Sequence, residues 1–213
     1  MPDLIDEVDE EMRRERAEKL WQRYGIYAVG AATAIVLAVA GWQGWQWYDA
    51  REREAQARAF LVAAEQAIGE KPQAINAFAA LAQNGRAGYR LLARFQEARL
   101  KAELGDLAGA IAIWDAVAAD ASQDRLYRDF ASLSSVIHQI DGGDPAMLEA
   151  RLAPLAAADS PWRFSAIELQ ALLAERRGNR AQAATLFRQL AEDTAAPPQI
   201  RARARDLVMA LGS

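Results

Sequence analysis

The chain has 213 residues, a net charge of −4 and no cysteine. The absence of cysteine excludes disulfides, cysteine nucleophiles and thiolate metal sites. With 29 acidic and 25 basic side chains, the chain lacks the basic excess that neutralising nucleic-acid phosphates requires, which argues against a nucleic-acid-binding protein.

Residues 1–24 are predicted to form a charged helix in the cytoplasm. They carry eight acids and five bases, and the bases lie nearer to the following segment, an order that suits the helix dipole. A thin apolar stripe runs along this helix through Leu4, Ile5, Val8 and Met12. A solvated helix beside the membrane and a docking helix for a cytoplasmic partner both fit this pattern.

Residues 25–48 are predicted to form a single transmembrane helix. They contain no Asp, Glu, Lys or Arg, and a helix of this length, ~36 Å, crosses a hydrocarbon core of about 30 Å. Aromatic rings, which favour the membrane interface, flank both ends: Trp21, Tyr24 and Tyr27 at one end, and Trp42, Trp45, Trp47 and Tyr48 at the other. Five basic residues precede the segment and three closely follow it. This bias favours a cytoplasmic N-terminus and a C-terminal domain outside the cytoplasm.

Other interpretations of residues 25–48 were weighed. Ala38-Val39-Ala40 has the form of a signal-peptide cleavage site, but the preceding segment is longer and more acidic than the start of a signal peptide. A buried core helix would not explain the aromatic rings at both ends. Gly30, Ala34 and Ala38 lie four residues apart, a spacing that would also allow a second membrane helix to pack closely.

Residues 49–68 contain neither proline nor glycine and are predicted to continue the membrane helix into a first repeat. A helical apolar stripe is predicted along this part of the chain, formed by Ala57, Phe60, Leu61, Ala64 and Ile68.

Residues 69–213 contain a repeat whose glycines, Gly69, Gly105, Gly143 and Gly178, are spaced by 36, 38 and 35 residues. Each glycine is predicted to end a helix in a left-handed turn, and the residue after it to cap the next helix in three of the four cases. Apolar residues recur at fixed distances after the glycines: Ala74, Ala110, Leu148 and Ala183 at five residues, Phe78, Trp114, Leu152 and Phe187 at nine, and Leu81, Val117, Leu155 and Leu190 at twelve. Ala98 and Ala171 occupy the small position of the first helix in the second and fourth units, whereas the first and third units are degenerate, with Val62 and Val136 at that position.

This spacing resembles that of tetratricopeptide repeats (TPR), whose period is about 34 residues. The sequence therefore predicts an all-α fold, with one N-terminal transmembrane helix followed by a TPR-like α-solenoid. Residues 197–211 are predicted to be its closing helix. An irregular helical bundle is the alternative, because it would give a similar apolar periodicity.

The layout resembles that of a known family. A charged start (VDEEMRRERAEKLWQRYG), one membrane helix with a Trp-rich exit and a TPR-like C-terminal domain are similar to the ancillary SecYEG translocon subunit family, which is called YfgM-like. The resemblance implies a single-pass protein of the bacterial inner membrane with a periplasmic repeat domain. It also implies protein export channel subunits and periplasmic chaperones as partners.

The sequence shows no catalytic constellation, and we expect neither an enzyme nor a bound cofactor or metal. The only histidine, His138, lies one helical turn after Ser134, but no acid or oxyanion site accompanies this pair. The three arginines Arg201, Arg203 and Arg205 are expected to be solvated.

A binding groove is the remaining candidate site. In TPR-like folds the first helix of each repeat lines a concave surface. The repeat register predicts an apolar trough with a charged rim: the trough is formed by Leu92, Phe95, Phe130, Leu133, Ile137, Ile140 and Leu172, and the rim by Arg99, Glu103, Asp141, Glu168, Glu175 and Arg176. The alternative is that the apolar residues are ordinary core.

The pattern as a whole predicts a membrane-anchored protein–protein interaction module. One alternative is an envelope-assembly or cell-division scaffold that forms a homo-oligomer through the membrane helix or the repeats. A carrier or enzyme that uses the trough is another.

Overall fold

The computed structural model describes the backbone of residues 3–212, and the side chains of residues 18, 20–27 and 29–212. This part of the chain is helical and contains no strand, which confirms the predicted all-α class. The elements are α1 (Asp3–Gly69), α2 (Lys71–Asn84), α3 (Ala87–Glu103), α4 (Leu107–Ala119), α5 (Arg125–Gln139), α6 (Pro145–Leu152), a short 3-10 helix (Pro154–Ala156), α7 (Arg163–Arg176), α8 (Arg180–Glu192) and α9 (Pro198–Ala210). The apolar stripe predicted at Leu4, Ile5, Val8 and Met12 lies outside the described side chains.

The chain divides into two compact units, Met1–Ala55 and Gln56–Ser213. In the first unit, α1 runs without a break through the apolar segment, and this helix is long and apolar enough to cross a membrane. Every residue from 29 to 48 is exposed. The Arg23 guanidinium lies 5.8 Å from the ring centroid of Tyr24, and the Arg51 guanidinium lies 4.6 Å from that of Trp47. Cation–aromatic contacts therefore occur near both ends of the apolar segment.

The second unit is an array of helical hairpins. Repeat 1 pairs the end of α1 with α2, repeat 2 pairs α3 with α4, repeat 3 pairs α5 with α6, and repeat 4 pairs α7 with α8. Helix α9 packs against α8 at the end of the array. Of the twelve side chains predicted at the fixed distances after the glycines, eleven are buried and Leu81 is half-buried, because each fills the space between the two helices of its repeat.

The left-handed turn is confirmed at two of the four glycines. Gly105 has a φ of +87° and Gly178 a φ of +77°, so both adopt the conformation that glycine alone tolerates without strain. The prediction is wrong at the other two. Gly69 is the last residue of α1. At position 143 a side chain would be crowded, because a Cβ there would lie 3.0 Å from the Gln139 carbonyl oxygen and 3.1 Å from Leu148 Cδ1.

The predicted capping pattern is confirmed. Asp106 accepts a hydrogen bond from Gly109 N–H, Asp144 from Ala146 and Met147 N–H, and Asn179 from Gln182 N–H. Glu70, the fourth residue of the set, makes no side-chain capping bond. The Gly109 N–H bond is the largest of the effects that hold the pKa of Asp106 below its usual value, since it stabilises the carboxylate form.

The predicted apolar face of α1 in repeat 1 is wrong by one residue. Val62 is 53% exposed, whereas its neighbour Ala63 is fully buried against Ala74 and Phe78. Leu61 and Ile68, two members of the predicted stripe, are exposed as well. The face shifts because α1 continues through Gly69, while α3 and α7 end two residues before their glycines.

Replacement by alanine is expected to have opposite effects on stability at a left-handed glycine and at a helical glycine. Gly105→Ala is expected to destabilise the second unit by about 1–2 kcal/mol, the cost of a left-handed alanine. Gly69→Ala is expected to be neutral or stabilising by up to about 1 kcal/mol, because alanine favours a helix. A Cβ meets nothing within 4 Å at either position, so only the backbone differs. Urea unfolding of the full chain in mild detergent measures both effects, and equal effects would contradict the assigned turns.

Candidate binding groove

The predicted trough residues lie on the first helices of repeats 2, 3 and 4, except Ile140, which directly follows the end of α5. Leu92, Phe130 and Ile137 are exposed, at 47%, 38% and 44% of their maximal surface. Phe95, Ile140 and Leu172 are half-buried. Leu133 differs from the expectation, because it is only 4% exposed and packs in the core between α5, α6 and α7. The accessible apolar surface therefore excludes Leu133.

Three aromatic rings form a row across this surface. The ring centroids of Phe95 and Phe130 are 5.2 Å apart, and those of Phe130 and Trp162 are 5.1 Å apart. The row links α3 and α5 to the turn before α7. Trp162 was missed by the sequence reasoning, which considered only helical positions. Its indole Nε1–H is buried and has no acceptor among the described residues.

A shallow pocket lies at the α7 end of the trough. Its volume is about 330 Å³, and its lining consists entirely of residues predicted for the trough or its rim: Ile140, Asp141, Leu172, Glu175 and Arg176. The Arg176 guanidinium donates hydrogen bonds to the carbonyl oxygens of Ile140 and Gly143. A cation at the end of α5 complements the partial negative charge of the helix C-terminus, so Arg176 orders this edge of the pocket.

The remaining charged rim residues are mostly paired. Glu103 accepts from Arg99, one turn earlier on α3, and lies 2.9 Å from Lys71 Nζ. The hydrogen bond from Lys71 is the largest of the effects that lower the pKa of Glu103. Glu168 receives two hydrogen bonds of 2.8 Å from Arg203. These pairs leave the apolar floor, rather than a charged cluster, as the main feature of the groove.

Comparison with known proteins decides the family. A model of the tetratricopeptide repeat-like domain matches residues 18–149. The chain belongs to this family. No curated protein and no solved structure matches the chain.

The match places the membrane-type segment, repeats 1 and 2 and most of repeat 3 inside the TPR-like domain, while α7, α8 and α9 follow it. TPR-like domains generally mediate protein–protein interaction and are typically non-catalytic. Their stacked hairpins create the extended concave surfaces that partners occupy.

The single histidine of this TPR-like chain packs against an aromatic ring. The His138 ring lies 4.4 Å from the Trp114 ring, centroid to centroid, and its Nδ1 lies 2.8 Å from the Ser134 carbonyl oxygen. The Ser134 hydroxyl donates to the Phe130 carbonyl oxygen instead of to the imidazole. Ser134 and His138 therefore do not form the hydrogen bond between nucleophile and base that covalent catalysis requires.

A polar cluster behind the groove fixes α5. Asp115 Oδ1 accepts hydrogen bonds of 2.6 Å from the Ser135 hydroxyl and 2.6 Å from Arg151 Nη2. Gln139 Nε2 donates to the Ser135 hydroxyl at 2.7 Å. The cluster connects α4, α5 and α6, so the helix that carries Phe130 and Ile137 is held on its opposite side.

Proposed function

We propose that this protein is a single-pass inner-membrane protein whose TPR-like domain binds protein partners in the periplasm, as an accessory of the protein-export channel and its chaperones. Residues 1–24 lie in the cytoplasm, residues 25–48 cross the membrane, residues 49–68 continue the helix into the first repeat, and residues 69–213 form the repeat domain. The exposed apolar groove on α3 and α5 is the observation that carries the proposal of partner binding.

The groove has the composition of a protein-binding surface. Leu92, Phe130 and Ile137 remain exposed on a folded domain, and the aromatic row of Phe95, Phe130 and Trp162 offers large rigid rings of the kind that dominate binding energy at interfaces. Exposed apolar surface with a polar rim is typical of an interaction site. An amphipathic helix or an extended apolar segment of the partner fits such a surface.

The apolar part of α1 supports the membrane anchor. Trp21, Tyr24, Tyr27, Trp42, Trp45, Trp47 and Tyr48 are all exposed on it, as rings that sit at the two interfaces of a bilayer would be. Anchoring holds the repeat domain close to membrane complexes, and the higher effective concentration strengthens binding without any new contact. The similarity to the YfgM-like family supports the export channel and periplasmic chaperones as the partners.

One labelled position tests both partner and topology. Because the chain has no cysteine, Ile137→Cys creates a unique thiol on the exposed surface of α5. A membrane-impermeant maleimide is expected to label it in intact spheroplasts. A photoreactive maleimide at the same thiol is then expected to crosslink to channel subunits or periplasmic chaperones, identified by mass spectrometry.

Met147→Cys is the matched control, because Met147 is exposed on α6, the second helix of the same repeat. It should be labelled equally but should not crosslink to the same partners. Protection of both thiols in spheroplasts would contradict the topology. Recovery of neither channel subunits nor chaperones would contradict the export role, and recovery of division or envelope-assembly proteins would replace it with the scaffold alternative.

A further inference from the structure

A second concave site lies between α8 and α9, away from the aromatic row. Its volume is about 660 Å³. The lining combines cationic and apolar side chains, namely Arg188, Ala191, Glu192, Thr194, Arg201, Arg205, Val208 and Met209. The apolar part is accessible, since Met209 is 71% exposed.

The arginines of this site are unpaired within the described part of the chain. Arg188, Arg201 and Arg205 form no ion pair there, whereas Arg203 on the same helix holds Glu168 with two hydrogen bonds of 2.8 Å. Arg201 is half-buried, and its buried Nε–H has no acceptor among those residues. The expectation that all three arginines of α9 are solvated agrees with the exposed Arg203 and Arg205, and it is wrong for Arg201, which is half-buried.

Elsewhere in the array, arginines join one helix to another through carboxylates. Arg151 on α6 binds Asp115 on α4 at 2.6 Å, and Arg203 on α9 binds Glu168 on α7 at 2.8 Å. A planar guanidinium fits a carboxylate with two parallel hydrogen bonds. The site between α8 and α9 presents guanidinium groups next to an apolar floor, and none of its three arginines forms an ion pair with a carboxylate of the described residues.

We propose that this site binds an amphipathic helix of a partner protein, whose carboxylates flank an apolar face. The apolar face packs on Ala191, Val208 and Met209, as one helix packs on the next within the array, and the carboxylates accept hydrogen bonds from Arg201 and Arg205. The same surface of a second copy of the chain is not a suitable partner, because the arginines of the two copies would face and repel each other. A flat layer of lipid phosphates fits less well than a helix, because the site is concave and a layer of phosphates offers no apolar face to its apolar floor.

Synthetic peptides test the proposal on the full chain in nanodiscs of phosphatidylcholine. The probe is a labelled amphipathic helix of Leu, Ala and Glu, with the glutamates along both borders of the leucine face. Two control peptides of the same sequence carry Gln or Lys in place of every Glu. By fluorescence anisotropy, the Glu peptide is expected to bind at least about tenfold more tightly than the Gln peptide, and the Lys peptide more weakly than either.

Charge reversal supplies the decisive comparison. The double variant Arg188→Glu with Arg205→Glu is expected to reverse the order of the Glu and Lys peptides. The control variant, Arg90→Glu with Arg180→Glu, changes the net charge equally at exposed positions outside the site and should keep the original order. Failure of the Glu peptide to bind, equal affinity of the Glu and Gln peptides, or the same reversal in the control would overturn the proposal. So would binding of phosphatidylglycerol vesicles, or dimerisation of the chain, that the site variant alone abolishes.

Discussion

Replacing Val36 and Val39 by arginine is expected to remove the protein from the membrane fraction. Both residues lie near the middle of residues 25–48, and both are exposed on α1. An arginine at the centre of a membrane helix costs about 2.5–3.5 kcal/mol on insertion scales, so two cost about 5–7 kcal/mol. Carbonate extraction of membranes, followed by immunoblotting for the pellet and supernatant, measures the result.

The matched control places the same charges further along the same helix. Leu61 and Ile68 are apolar and exposed, and Leu61→Arg with Ile68→Arg is expected to leave the protein in the pellet. Loss of both variants from the pellet would point to a general folding defect. Retention of the Val36→Arg, Val39→Arg variant in the pellet would contradict the assignment of residues 25–48 as the anchor.

Sequence predicted the repeat register well after each glycine and less well before it. In all four repeats the second helix begins two residues after the glycine, so positions counted forward from it fall on the same helical face. The first helix of repeat 1 runs through its glycine, Gly69, whereas those of repeats 2, 3 and 4 end two to four residues before theirs. Counting backward therefore failed in repeat 1, where the buried small residue is Ala63 instead of Val62.

The groove could be predicted only in outline. Helical periodicity shows which side of α5 is apolar, but it does not show how deep each residue of that side lies. Leu133 is consequently buried by α6 and α7, while Ile137 stays exposed one turn later. Trp162 lies in a turn, outside any helical register. Only the fold brings it to Phe130.

The arginine site was also beyond sequence reasoning, for a different reason. Two-residue spacing does scatter Arg201, Arg203 and Arg205 around α9, but the surroundings of each side depend on which helix packs there. Arg203 points to α7 and meets Glu168, whereas Arg201 and Arg205 share a concavity with Arg188 of α8. Contacts between helices, which the sequence does not show, therefore decide which arginines are paired.

Truncating Phe187 to alanine is expected to destabilise the repeat domain strongly. Phe187 is fully buried in the core shared by α7, α8 and α9, and its removal should cost about 3–5 kcal/mol. In a repeat array each repeat contacts mainly its neighbours, so the loss should be local. Hydrogen exchange of the full chain in mild detergent should therefore accelerate in α7, α8 and α9, and much less in α2.

Phe78→Ala provides the reciprocal test, because Phe78 occupies the same position in repeat 1 and is also fully buried. Its faster exchange should appear in α2 and α3, with α9 least affected. Met147→Ala, at an exposed position of α6, should change stability by less than about 0.5 kcal/mol. An equal loss of protection across all helices in both phenylalanine variants would indicate one cooperative bundle, and would contradict the repeat-by-repeat stability that a TPR-like array implies.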